Sequence, residues 1–177
     1  RLPFVALAEK GTVEVNEEVK RAQSEALRAH IDLAAERGLP LIIHARPSNG
    51  TQDAYHDLIE ILREAKIKNP KLRGDVHFFV GGIAEAEALI ALGFTISFTA
   101  VITFARDYDE VIKSVPLTSI LSETDAPYVA PASRRGQRND PLAVIDVVAK
   151  IAEVRGEPSE TVRTALLANA RRLFALS

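Results

Sequence analysis

The 177-residue sequence contains no cysteine, no methionine and no tryptophan. Without cysteine there is no disulfide framework and no thiolate metal site, so any bound metal must be held by imidazole and carboxylate groups. The missing methionine includes the start residue. The chain opens Arg1-Leu2-Pro3 and shows no signal-peptide pattern, which sets two expectations, an incomplete amino terminus and a cytoplasmic protein. A strong charge of either sign is also lacking: 22 Lys and Arg against 24 Asp and Glu leave a formal net charge of −2. Bulk composition therefore advertises no polyanion partner, and any nucleic-acid case rests on local residues. Nor is there a membrane span. The uncharged run from Ala88 to Ala105 is split by Gly93 and carries Thr95, Ser97, Thr99 and Thr103, which suits a helix end followed by a buried strand. What remains, 47% hydrophobic and 26% charged residues, is the composition of one folded domain over residues 1–177.

Hydrophobic spacing divides the chain into alternating elements. Val19, Ala22, Ala26, Leu27, His30, Leu33 and Ala34 recur at helical steps, predicting a helix over about Glu17 to Arg37, with Asn16 as N-cap and Gly38 just past its end. Leu39 to His44 is a continuous apolar run, the pattern of a parallel strand covered on both faces. Further helices are expected over Gln52 to Lys68, Ala84 to Leu92, Phe104 to Ser114, Pro141 to Arg155 and Ser159 to Leu173. Further strands are expected at Val76 to Val80, Phe94 to Thr99 and Leu117 to Ser122. This alternation implies crossover units and a parallel sheet. It suits either a small open sheet or the back half of an eight-stranded barrel, whose usual length is ~250 residues.

In parallel α/β folds functional groups gather at the carboxyl ends of strands. Here the first strand ends in His44, the second carries His77, and the fourth runs into Glu123-Thr124-Asp125. Two imidazoles and a carboxylate suit a divalent ion such as zinc or manganese. Each also has a plainer reading as a hydrogen-bonded edge residue, and three coincident strand ends are what favour the ligand reading. His30 and His56 lie inside helices without a histidine partner at i+4 and are set aside. The polar loop Ala132 to Asp140 carries Arg134, Arg135 and Arg138, which either keep the loop solvated or capture phosphate with their forked donors. Arg46, with Ser48 and Asn49, adds donors from a second loop.

At these residues a family resemblance emerges. Ser122-Glu123-Thr124-Asp125-Ala126-Pro127-Tyr128-Val129-Ala130-Pro131 resembles the ETDAPY-L-P signature of TatD-type metal-dependent deoxyribonucleases. Arg135-Gly136-Gln137-Arg138-Asn139-Asp140-Pro141 is similar to their RGKRNEP segment, Leu39 to Arg46 to LPVIIHAR, and Val76 to Gly81 to VFHCFSG. The resemblance implies a (β/α)₈ TIM-type barrel, seen here as its carboxyl-terminal portion, that hydrolyses DNA phosphodiesters, as an exonuclease, with one or two divalent ions (Mg, Mn or Zn). RNA is a further substrate class, and no membrane or obligate protein partner is implied. It assigns His44, His77 and Asp125 as metal ligands, Asp125 also as the catalytic group that orients or deprotonates water, and Arg46, Arg138 and Asn139 to substrate binding, with Asn139 otherwise tying the substrate loop to the barrel. Glu123 is expected to brace the loop. The family's HxH pair and GE-x-GLD glutamate are absent, so the isolated chain is expected to show little activity. Phe78 and Val80-Gly81 stand where the family has Cys and Ser-Gly. The competing readings are an amide or lactone hydrolase on the same scaffold and a catalytically silent remnant.

Overall fold

The computed structural model describes residues 17–176, so the expected cap Asn16 lies outside the described residues. Helix α1 (Glu17–Arg37) ends as expected at Gly38, whose φ of +66° lets the Leu39 N–H return to the Ala34 carbonyl at 2.9 Å. Then follow β1 (Leu41–His44), α2 (Asp53–Lys68), β2 (Gly74–His77), α3 (Ile83–Ala91), β3 (Phe94–Phe98), α4 (Asp109–Ser114), β4 (Ile120–Ser122), α5 (Val144–Arg155) and α6 (Ser159–Phe174). The strands pair in parallel in the order β1-β2-β3-β4. Because each crossover adds the next strand on the same side, the sheet builds like a barrel wall instead of doubling back.

The register sorts side chains onto two faces. Ile43, Val76, Ile96 and Ile120 align across all four strands and are buried, forming the row that the helices cover. The other face carries Ile42, Asp75 and Thr95 in one row, then His44 and His77 in the next. The core therefore lies between sheet and helices, and the polar groups share the opposite surface. Among the described residues no helix is long and apolar enough to cross a membrane.

Four expectations are corrected. The first strand is not covered on both faces: its burial alternates, and Ile42 is 65% exposed on the face turned away from the helices, at one of the sheet's two edges among the described residues. The second strand begins at Gly74, two residues early, and stops at His77. Gly74 fits there because an added Cβ would lie 2.6 Å from the Leu41 carbonyl oxygen, and Phe78, at φ +52°, turns the chain out of the sheet. The helix expected from Phe104 starts only at Asp109, after a 3₁₀ turn at Ala100–Thr103 capped by the Thr99 hydroxyl. Leu117–Ser119 and Pro141–Ala143 are likewise 3₁₀ turns leading into β4 and α5.

Candidate metal centre at the strand ends

His44 and His77 close β1 and β2 and are direct cross-strand partners, which sets their rings 5.7 Å apart at 45° on one face. Glu123, one residue beyond β4, continues the strand by donating its N–H to the Phe98 carbonyl at 3.1 Å. Its carboxylate receives three donors: His77 Nδ1 on Oε2, and the Ser97 hydroxyl (2.6 Å) and Phe78 N–H (2.7 Å) on Oε1. An ionised carboxylate only accepts, so the proton of the neutral imidazole belongs on Nδ1 and leaves Nε2 bare. That nitrogen lies 3.7 Å from Asp125 Oδ1.

The electrostatics agree with this pairing. Hydrogen bonding to Glu123 raises the His77 pKa against the opposing effect of burial. Burial pushes Glu123 upward most strongly of any single influence, yet His77, Ser97 and the Phe78 N–H together hold it below the ordinary carboxylate value. His44, open to solvent on one side, is held below the usual imidazole value by desolvation of its inner side and by the positive charge of His77 and Arg46. Asp75, 4% exposed behind His77, accepts from Thr95 Oγ1 at 2.7 Å and competes with Glu123 for the single proton of Ser97 Oγ, also 2.7 Å away; burial pushes its pKa up to about 6.

Asp125 stands on an arch rather than in a strand. Asp125 and Val129 both adopt left-handed backbone, at φ +53° and +54°, on either side of the cis Ala126–Pro127 peptide. Asn139, 3% exposed, closes the arch: its amide donates to the carbonyls of Thr124 (2.8 Å) and Tyr128 (2.7 Å). Its side-chain amide is thus spent on the backbone of residues 124, 128 and 129. Arg46 lies over the Phe78 ring, 5.6 Å from its centre, beside the two histidines. The three loop arginines part company: Arg134 pairs with Asp140 at 2.8 Å, Arg135 stacks on Phe104 at 3.8 Å, and Arg138 is exposed with no hydrogen bond or ion pair among the described residues.

The sequence-predicted ligands are therefore neighbours, though not a closed chelate. Among the described residues no group of three or more His, Asp or Glu side chains is placed to hold a metal ion unaided. The donor chemistry still fits a divalent ion, since an imidazole held through Nδ1 by a half-buried carboxylate, with Nε2 on the side of a second carboxylate, is how metal-binding histidines are oriented. Sequence reasoning missed Asp75 and Ser97 and undervalued Glu123. Strand alternation was the available signal, because it puts residue 75 on the face of His77. Of the histidines set aside, His30 bonds the Ala26 carbonyl at 2.8 Å and His56 meets Glu85 at 3.4 Å. The latter pair lines a groove of about 440 Å³ between α2 and α3, in the helical layer away from the strand ends.

Parallel strands in sequential order, an apolar face under helices, and imidazole and carboxylate groups at the carboxyl edge define an α/β protein of the TIM-barrel type. The family model for TatD related DNase matches residues 3–175, and the chain belongs to that family. Its relatives include an Escherichia coli K12 protein named uncharacterized metal-dependent hydrolase YcfH, 35% identical over 94% of this chain and 64% of its own length. The 3'-5' ssDNA/RNA exonuclease TatD of Erwinia billingiae is 32% identical over 97% of this chain and 66% of its own. The chain thus spans about two thirds of these relatives or slightly less. Among solved structures, the TatD homologue YJJV of Escherichia coli K12 superposes with a TM-score of 0.79 at 32% identity, covering 90% of this chain and 59% of that one. A TatD family hydrolase from Entamoeba histolytica, at 20% identity and a TM-score of 0.74, supports the fold alone.

Proposed function

We propose that this chain carries part of the active site of a metal-dependent hydrolase that cleaves phosphodiester bonds of DNA from chain ends, with RNA as a further substrate class. The observation that carries this reading is the His77 imidazole, fixed through Nδ1 by Glu123 and presenting Nε2 towards Asp125. In it, His44, His77 and Asp125 hold one or two divalent ions, with further ligands supplied by groups outside the described residues. Such an ion supplies positive charge against the phosphate and makes water acidic enough to attack near neutral pH. Asp125, beside His77 on a braced arch, orients the attacking water and accepts its proton. Arg46 and Arg138 hold phosphate oxygens, Arg138 being free to turn towards substrate. Asn139 keeps the arch closed. None of these groups reads base edges, so sequence selectivity is expected to be low.

The test is hydrolysis, with Mn²⁺, of end-labelled single-stranded DNA and RNA beside a panel of lactones. Slow stepwise release of mononucleotides, weak because the HxH pair and the GE-x-GLD glutamate are absent and lowered further in His77→Ala and Asp125→Asn, is the expected outcome. Turnover of lactones alone would overturn the phosphodiesterase reading, and a chain that takes up no Mn²⁺, Mg²⁺ or Zn²⁺ would overturn the ligand assignment.

A further inference from the structure

The face of the sheet that carries the two histidines also buries a hydroxyl between two carboxylates. Ser97, 2% exposed in β3, places Oγ 2.7 Å from Asp75 Oδ2 and 2.6 Å from Glu123 Oε1. Asp75 is gripped from its other side by the Thr95 hydroxyl, 2.7 Å from Oδ1. A continuous chain of contacts thus runs Thr95, Asp75, Ser97, Glu123, His77, spanning β2, β3 and the end of β4. The register makes it: Asp75 pairs with Thr95, and Ser97 pairs with Leu121, two residues before Glu123 on the same face. Without that hydroxyl, Asp75 and Glu123 would confront each other across the space it leaves. A glutamate side chain turns easily about its terminal torsion, and the Ser97 hydroxyl, with the Phe78 N–H on the same Oε1, fixes which way its oxygens point.

We propose that Ser97 is a positioning residue of this site: by donating its one proton to Glu123 it helps hold the Glu123 carboxylate in the orientation that keeps His77 in its Nδ1–H form, with Nε2 bare for a divalent ion. The inference rests on the metal-hydrolase reading above and adds the residue that selects which nitrogen is offered. Ser97 acts through Glu123 and touches neither ion nor substrate. A carboxylate partner on the far ring nitrogen is worth about 10–100-fold in metal affinity or activity, and Ser97 governs the geometry of that partner.

Ser97→Thr and Ser97→Val have the same shape and differ in the hydroxyl alone, so they share any packing cost at this buried position and separate it from the hydrogen bond. In ¹⁵N-labelled protein at alkaline pH, where the imidazole is neutral, long-range ¹H–¹⁵N couplings report the His77 tautomer. Wild type and Ser97→Thr should show the Nδ1–H form. Ser97→Val should show both tautomers, a shift of about tenfold in their ratio, and should bind Mn²⁺ about 10-fold more weakly. Asp75→Asn should keep the wild-type tautomer, because its amide donates to Ser97 while Ser97 donates to Glu123. An unchanged tautomer in Ser97→Val, a mixed tautomer in wild type, or an Asp75→Asn protein that behaves like Ser97→Val would each overturn the proposal. A wild-type protein with the Nδ1–H form that takes up no Mn²⁺ overturns the metal reading instead, and the tautomer comparison still decides the role of Ser97.

Discussion

Asp75→Asn should stabilise this protein increasingly above about pH 4 and fully above pH 6. The Asp75 carboxyl is 4% exposed and its hydrogen-bond partners are two neutral hydroxyls, Thr95 and Ser97. Burial is the largest influence on it and outweighs both hydroxyls, so its pKa rises from 3.8 to about 6. An acid whose folded pKa exceeds its unfolded value keeps its proton in the folded state after the unfolded chain has lost it. Stability therefore falls as pH climbs from about 4 to about 6, the full cost is present above that window, and none is present below it. A gap of roughly two units corresponds to ~3 kcal/mol at pH 8. Asparagine has the same shape without the charge, and its amide can accept from Thr95 and donate to Ser97. The variant should melt roughly 6–12 °C above wild type at pH 8 and level with it at pH 4, for a chain of this size. Thermal unfolding followed by circular dichroism in the presence of chelator measures both. His77, His44 and Glu123 titrate in both chains, so their contributions cancel in the difference to first order. An equal difference at the two pH values, or a variant less stable at pH 8, would refute the reasoning.

Asn139→Ala removes the amide bonds to Thr124 and Tyr128 and the acceptor of the Asp140 N–H, three bonds between 2.7 and 2.9 Å. At ~1 kcal/mol net each, the loss is ~3 kcal/mol, and amide exchange over residues 124–129 should quicken while the strands stay protected. Gly74→Ala forces a methyl to within 2.6 Å of a backbone oxygen that cannot yield without parting β1 from β2, at a cost of ~1–3 kcal/mol in urea denaturation. An unchanged midpoint would show that the strands have slack at this point. Tyr55→Phe strips the half-buried Val80 N–H of its 2.8 Å acceptor and should cost ~1 kcal/mol. Arg138→Ala should leave the melting temperature unchanged while lowering the salt dependence of single-stranded DNA binding by about one phosphate contact.

Elements whose signal is local were legible from residues alone. The helix over Glu17–Arg37 is fixed by apolar spacing and a terminal glycine, both properties of the segment itself, and its end at Arg37 agrees with expectation. The strand end at His44, the place of His77 on the second strand and the loop bearing Asp125 were legible because chain direction and strand order already place them at one edge. What could not be read depended on register. That Gly74 rather than Val76 opens β2 follows from how closely Leu41 and Phe94 approach it. That Ser97 meets both Asp75 and Glu123 follows from three strands being aligned to the residue. The fate of the loop arginines, one paired, one stacked and one free, was equally a matter of tertiary neighbours, since Phe104 and Asp140 are found only by folding. Asn139 reads as a polar surface residue until the arch closes around it.

Phe78, Asp125 and Val129 hold the left-handed backbone at φ between +52° and +54° without glycine's freedom to do so. For an engineer seeking heat resistance these are the tempting positions, because relieving such a residue, Val129 above all with its branched β-carbon, is worth roughly 1–2 kcal/mol. Two of the three flank or form the arch that carries Asp125, and the third sets the N–H that grips Glu123. A library ranked by melting temperature would therefore enrich glycine at the places where rigidity aims the site, and would yield sturdier proteins with blunter chemistry.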